Sequence, residues 1–204
     1  EEDIFFVGNI MIDSLVYSLE RASNSNILKE IGVNKGEYGV LTLHRPSNVD
    51  DPEAFVGIIE AIEEIGGEIG IVFPIHPRTK NNLERFGLKK RFEAVPNIIL
   101  TEPLGYLDFI SLISNSKIVL TDSGGLQEET TFLKIPCITI RDSTERPITV
   151  SMGTNKIVGN QKEGIIKAFK ESISQDYSEM VPPPLWDGRT SSRVASILLD
   201  YIGD

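Results

Sequence analysis

Residues 118–129 read Ile118-Val119-Leu120-Thr121-Asp122-Ser123-Gly124-Gly125-Leu126-Gln127-Glu128-Glu129, an apolar run that ends in a polar turn with two glycines and opens into a helical pattern. A short, nearly continuous apolar run bounded by turn residues is the mark of a strand covered by helices on both faces. Ser123 is a good N-cap for the helix that follows, and glycines beside it let an anion approach the free N–H groups at the positive end of the helix dipole. The segment is a phosphate cradle in kind, and on these residues alone it is equally an ordinary βα turn whose glycines ease packing. No Lys-Ser or Lys-Thr follows, so it is not a P-loop, and it is not GxGxxG.

The same alternation extends to both sides. It predicts strands over 38–43, 69–74, 98–101, 118–121, 137–140 and 155–158, with helices over 52–64, 79–86, 106–114, 125–133, 162–174 and 191–201. Strands alternating with helices imply βαβ units around a parallel sheet. The expected fold is α/β, a Rossmann-like three-layer sandwich in a single domain, with no internal repeat. A proline-rich loop, Val181-Pro182-Pro183-Pro184-Leu185-Trp186-Asp187-Gly188, precedes a terminal helix that packs back on the sheet or crosses to a partner. Ligands of such sheets sit beyond the carboxyl ends of the strands, so the loops after Leu43, Pro74, Thr101, Thr121 and Ile140 are the ones to examine.

Composition narrows the partners. The 204 residues carry a net charge of -10, which repels a nucleic-acid backbone and an anionic membrane surface alike, so neither is expected to bind. A phosphate ligand would need a few placed Arg and His side chains and backbone N–H groups. No apolar run approaches the roughly 18 residues of a membrane helix, and the acidic start Glu1-Glu2-Asp3 is unlike a secretory signal. A cytoplasmic address is the default expectation. Cys137, the only cysteine, is expected to be an inert core thiol. The chain lacks an initiator Met and begins at once on apolar Ile4-Phe5-Phe6-Val7, which suggests a fragment of a longer protein.

Both histidines fall at predicted strand ends, His44 before Arg45 and His76 two positions before Arg78. Imidazole and guanidinium groups at a crevice suit a diphosphate, whereas no Cys or Glu stands at metal-ligand spacing around them. A carboxylate one turn into the helix after Ser123, Glu128 or Glu129, can accept from both hydroxyls of a ribose. The charged run Arg141-Asp142-Ser143-Thr144-Glu145-Arg146-Pro147 follows the next strand and would bring Arg146 near the same crevice.

Together these residues resemble the non-hydrolysing UDP-N-acetylglucosamine 2-epimerases, two-domain enzymes of GT-B architecture. The likeness runs in order through Val7-Gly8-Asn9 with Asp13, His44-Arg45 with Asn48, Pro74 with His76, and Glu102-Pro103 with Tyr106-Leu107 and Phe109. It continues through Asp122-Ser123-Gly124-Gly125 with Gln127-Glu128-Glu129, Arg141-Asp142 with Thr144-Glu145-Arg146-Pro147, Gly153-Thr154-Asn155, and Asp187-Gly188 with Arg193. The resemblance implies that the chain is the C-terminal, UDP-binding domain of such an enzyme. Residues 1–20 would then be an interdomain lead-in segment, residues 188–204 the terminal helix, and the N-terminal catalytic domain would be absent.

It further implies interconversion of UDP-GlcNAc and UDP-ManNAc by loss and re-addition of UDP through a 2-acetamidoglucal, with no cofactor and no metal, in a protein that is a homodimer at full length. By carry-over, Ser123, Gly124 and Gly125 hold the diphosphate, Glu129 the ribose, Phe109 the uracil and Arg146 the ribose-phosphate region. His44 stands beside the scissile C1–O bond, and Arg45, His76, Leu104 and Glu128 are further candidates. Two departures stand out: Ser47 replaces a frequent acidic residue, and Leu104 replaces a glutamine found near the uracil in some members. The proton-transfer carboxylates lie outside this chain, so it is expected to bind and not to turn over. The competing readings are the donor half of a GT-B glycosyltransferase, a hydrolysing 2-epimerase, and a UDP-sugar-sensing module without chemistry.

Overall fold

In the computed structural model, which describes residues 4–203, six strands form one sheet in the order β3-β2-β1-β4-β5-β6. The strands are β1 (Tyr38–Thr42), β2 (Gly70–Pro74), β3 (Ile98–Thr101), β4 (Ile118–Thr121), β5 (Cys137–Thr139) and β6 (Asn155–Ile157). Every pairing is parallel. Helices α1 (Ile10–Ala22) and α2 (Ile27–Ile31) precede β1; α3 (Pro46–Val49) and α4 (Pro52–Gly66) lie between β1 and β2; α5 (Pro77–Arg85) and α6 (Lys89–Glu93) between β2 and β3. Then come α7 (Tyr106–Ser114), α8 (Gly124–Leu133), α9 (Ile148–Ser151), α10 (Lys162–Ile173) and α11 (Thr190–Gly203).

Side chains of the central strands alternate between two cores, as the period of two requires. Leu41, Leu43, Ile71, Phe73, Ile118 and Leu120 pack with α4 and α10 residues such as Phe55, Ile62 and Phe169. Val40, Val72 and Val119 face the other way, onto Ile12, Leu15, Ile110, Ile113 and Leu126 of α1, α7 and α8. The three-layer sandwich expected from the sequence is therefore present. β3 departs from the covered-strand expectation: it is one of the two edge strands, and Leu100 is exposed.

Helix α1 was not expected. Asn9 caps it, its side chain accepting from the Met11 peptide at 2.9 Å, and Ile12, Leu15 and Ala22 are buried. Gly8 precedes the cap at φ +107, in a niche where a Cβ would stand 2.4 Å from the Leu185 carbonyl oxygen. Only glycine fits that conformation and that gap. Asp13 then accepts from the Thr190 and Ser191 peptides at 3.0 and 2.7 Å, capping α11 from across the chain. Burial raises the Asp13 carboxyl, but these bonds outweigh it and hold it below its ordinary value. Arg193 donates to the Val7 carbonyl at 3.2 Å and pairs with Asp187, so the two stretches flanking the sandwich are fastened to each other. Cys137 is fully buried and its thiol is pushed up to about 11 by desolvation, as an inert core thiol requires.

Candidate functional site

The sheet order reverses between β1 and β4, and at such a switch point the loops leaving the two strands diverge to open a crevice. Here the strand ends are fastened side by side. Thr42 and Thr121 are in register and their hydroxyls share a 2.6 Å hydrogen bond. Thr121 Oγ1 also accepts from the Ser123 peptide at 2.9 Å, which turns the chain into α8.

Asp122 organises the crevice, a role that sequence reasoning did not assign. Its carboxylate is wholly buried and accepts from the His44 peptide at 3.0 Å, the Arg45 peptide at 2.8 Å and Asn48 Nδ2 at 3.2 Å. Its Oδ1 lies 2.9 Å from His44 Nδ1. Burial raises its pKa, yet hydrogen bonds from the His44 ring and the Arg45 and His44 peptides outweigh it and hold Asp122 below the usual carboxylate range. Asn48 donates also to the Ile140 carbonyl at 2.8 Å, which ties the end of β5 into the same knot. The His44 ring is thus fixed through Nδ1, with its side chain 40% exposed and Nε2 left as the nitrogen for outside groups.

His76 lies next to it, ring centroids 5.8 Å apart. Its Nδ1 accepts from the Arg78 peptide at 3.1 Å and caps α5, so part of its task is structural. The pairing of His76 with Arg78 as a phosphate grip does not hold. The Arg78 guanidinium forms an ion pair with Asp50 at the end of α3, which sits against the start of α5. Arg45 keeps to the crevice, where its Nε is buried without a protein partner among the described residues.

Ser123 occupies the N-cap position of α8, but its side chain makes no capping bond. A Cβ added at Gly125 would meet nothing within 4 Å, and one at Gly124 only Glu145 Oε2 at 3.7 Å. The glycines therefore do not serve internal packing; they leave the positive end of a ten-residue helix bare. Glu145 is drawn aside by Arg141, with bonds of 2.8 and 2.9 Å that push its carboxyl down to about 2.

The loop carrying Arg146 is anchored to α8 by a polar chain. Gln127 Oε1 accepts from Thr144 at 2.6 Å and from Asn155 at 3.0 Å, and Asn155 also donates to Thr149. Arg146 itself reaches Glu128, Nε to Oε1 3.1 Å. Glu129 points elsewhere, to the Tyr106 hydroxyl at 3.2 Å, and both carboxylates are buried. Leu104 and Phe109 are half-buried against the core cluster that includes Leu126 of α8. A separate cavity of about 590 Å³ lies at the β6 edge, lined by Lys156, Lys167 and Glu171 among others, with Asn155 between it and the Arg146 loop.

Burial pushes the Glu129 carboxyl from 4.5 up to about 7, against the Tyr106 hydrogen bond and with help from the charge of Glu128. The folded chain then holds this proton more tightly than the unfolded chain, so its contribution to stability is complete below pH 4.5 and lost as pH rises through about 7. In urea titrations, wild type should lose on the order of 2–3 kcal/mol relative to Glu129→Gln on going from acid to pH 8. A pH-independent difference between the two proteins would mean that Glu129 titrates normally.

A family model described as UDP-N-acetylglucosamine 2-epimerase matches residues 1–199. The UDP-N-acetylglucosamine 2-epimerase of Methanocaldococcus jannaschii is 41% identical over 203 residues, covering 97% of this chain and 55% of that protein. The UDP-2,3-diacetamido-2,3-dideoxy-D-glucuronate 2-epimerase of Pseudomonas aeruginosa is 37% identical over 197 residues, covering 94% of this chain and 51% of its own length. The crystal structure of the Methanocaldococcus jannaschii enzyme in complex with UDP-GlcNAc and UDP matches with a TM-score of 0.88 and 41% identity, over 97% of this chain and 55% of that one. The chain spans about half the length of the curated relatives it matches. With the switch-point crevice, the bare helix start and these likenesses in agreement, the chain belongs to the UDP-N-acetylglucosamine 2-epimerase family.

Proposed function

We propose that this chain is the UDP-binding half of an enzyme that interconverts UDP-N-acetylglucosamine and UDP-N-acetylmannosamine. The observation that carries the reading is the juxtaposition of an Asp122-oriented His44 with the uncapped start of α8. The diphosphate binds at Ser123, Gly124 and Gly125, where backbone N–H groups and the helix dipole meet its charge. Arg146 and Arg45 add the cations that the acidic chain as a whole lacks. Glu129, with Tyr106 beside it, accepts from the ribose hydroxyls. Leu104 and Phe109 form the apolar wall for the uracil.

In the forward reaction a base outside this chain takes the proton from C2 of the sugar, and the electron pair of that bond forms the C1=C2 double bond. The C1–O bond breaks, and UDP departs with its electrons. His44 Nε2 donates to the departing phosphate oxygen, which requires the doubly protonated ring, while Asp122 on Nδ1 keeps the ring from turning. Re-addition of UDP with the proton on the opposite face gives the epimer, and Nε2 recovers its proton. A homodimer at a cytoplasmic address belongs to the same proposal, and light scattering of the full-length protein reads the assembly.

Two measurements test it. Calorimetric titration of the chain should detect UDP binding, weakened about tenfold or more in Arg146→Ala, as the loss of a charged hydrogen bond implies; a wild type that does not bind UDP overturns the site. The full-length protein, given UDP-N-acetylglucosamine and no acceptor, should produce its epimer. Accumulation of free UDP identifies a hydrolysing enzyme instead, and no reaction without an acceptor identifies a transferase.

A further inference from the structure

Glu128 is an acidic residue that the UDP site holds against its own arginine, Arg146. Its Oε1 accepts from Asn9 Nδ2 at 2.8 Å and forms an ion pair with Arg146, whose Nε lies 3.1 Å away. The Glu128 side chain is 8% exposed and that of Arg146 46%. A carboxylate paired with a guanidinium at its Nε side leaves the end-on fork of the two terminal amino groups for an anion.

Asn9 is equally constrained. Its Oδ1 caps α1, which fixes the amide plane and aims Nδ2 at Glu128. Gly8 before it is wedged against Leu185. The second carboxylate oxygen, Oε2, is buried with no partner among the described residues. A neutral glutamine would satisfy Asn9 as well, so the charge serves only the guanidinium.

We propose that Glu128 is a positioning residue that presents Arg146 to the diphosphate, with Asn9 holding Glu128 and thereby linking the segment that leads into α1 to the nucleotide. The proposal rests on the UDP reading of the crevice. Simple charge counting gives the opposite sign: neutralising a carboxylate near a diphosphate should tighten binding.

The experiment is a double-mutant cycle read by UDP titration of the chain, with uridine as a phosphate-free control and thermal melting as a check on folding. Glu128→Gln should weaken UDP binding about tenfold when Arg146 is present and less than twofold in the Arg146→Ala background, and should leave uridine binding unchanged. Asn9→Ser keeps a capping oxygen for α1 but cannot reach Glu128. It should weaken UDP binding several-fold, again only with Arg146 present, and it carries the test if Glu128→Gln misfolds. Tighter or unchanged UDP binding in Glu128→Gln overturns the proposal, as does an equal loss in both backgrounds. A wild type that binds no UDP removes the underlying reading and the proposal with it.

Discussion

Replacing His44 by alanine in the full-length protein should lower kcat for epimerisation by about a hundredfold to ten-thousandfold, the usual worth of a positioned acid–base group. UDP affinity should stay within about threefold, since in the proposed site the diphosphate is held by the α8 start and Arg146 rather than by the ring. That split between turnover and binding is the decisive part. The ring is fixed at Nδ1 by a buried carboxylate with four protein donors and turns Nε2 outward. An imidazole needed only to fill space would not require such anchoring. Full activity in His44→Ala would show that the leaving phosphate is served by another group, and a matching loss of UDP affinity would make His44 a binding residue.

Gly125→Asp should abolish UDP binding, a loss of at least about a hundredfold or 3 kcal/mol, while leaving the fold as stable as before or slightly more so. The two effects have one cause. A carboxylate in the first turn of α8 complements the helix dipole, and a Cβ at this position meets nothing within 4 Å. The same negative charge occupies the place from which the diphosphate would draw its N–H donors. Titration and a urea melt on the same preparation read both. UDP affinity unchanged by this substitution would place the diphosphate elsewhere.

The sheet was legible because each strand is a short apolar run bounded by turn residues, and the strands lie where those runs lie. Helix α1 was hidden by its neighbour. Its Asn9 cap and the apolar positions Ile12, Leu15, Leu19 and Ala22 have helical spacing, but the apolar stretch before them drew the eye toward an extended lead-in. The histidines were legible from their strand-end positions. The part of Asp122 was not, because its partners are peptide groups 77 and 78 residues away that leave no trace in composition or spacing. Arg78 misled for the same reason, since Asp50, its partner 28 residues back, becomes a neighbour only when α3 and α5 pack. Adjacent residues on a helix point about 100° apart, so sequence could name Glu128 and Glu129 together. Only the fold shows that one faces Arg146 and the other Tyr106.

The cap that Asp13 places on α11 joins residues 177 and 178 positions apart, and this sets an order of events on the ribosome. Helix α1 emerges before its packing partners, since its apolar face docks on α7 and α8, which are synthesised only after residue 105. Its fastening to Thr190 waits for some 177 further residues. At about 5–20 residues per second, a nascent α1 carries Ile12 and Leu15 uncovered for several seconds or more. Helix α1 is thus completed by α11, and a ribosome stalled before residue 190 would display an unfinished sandwich to the chaperones around it.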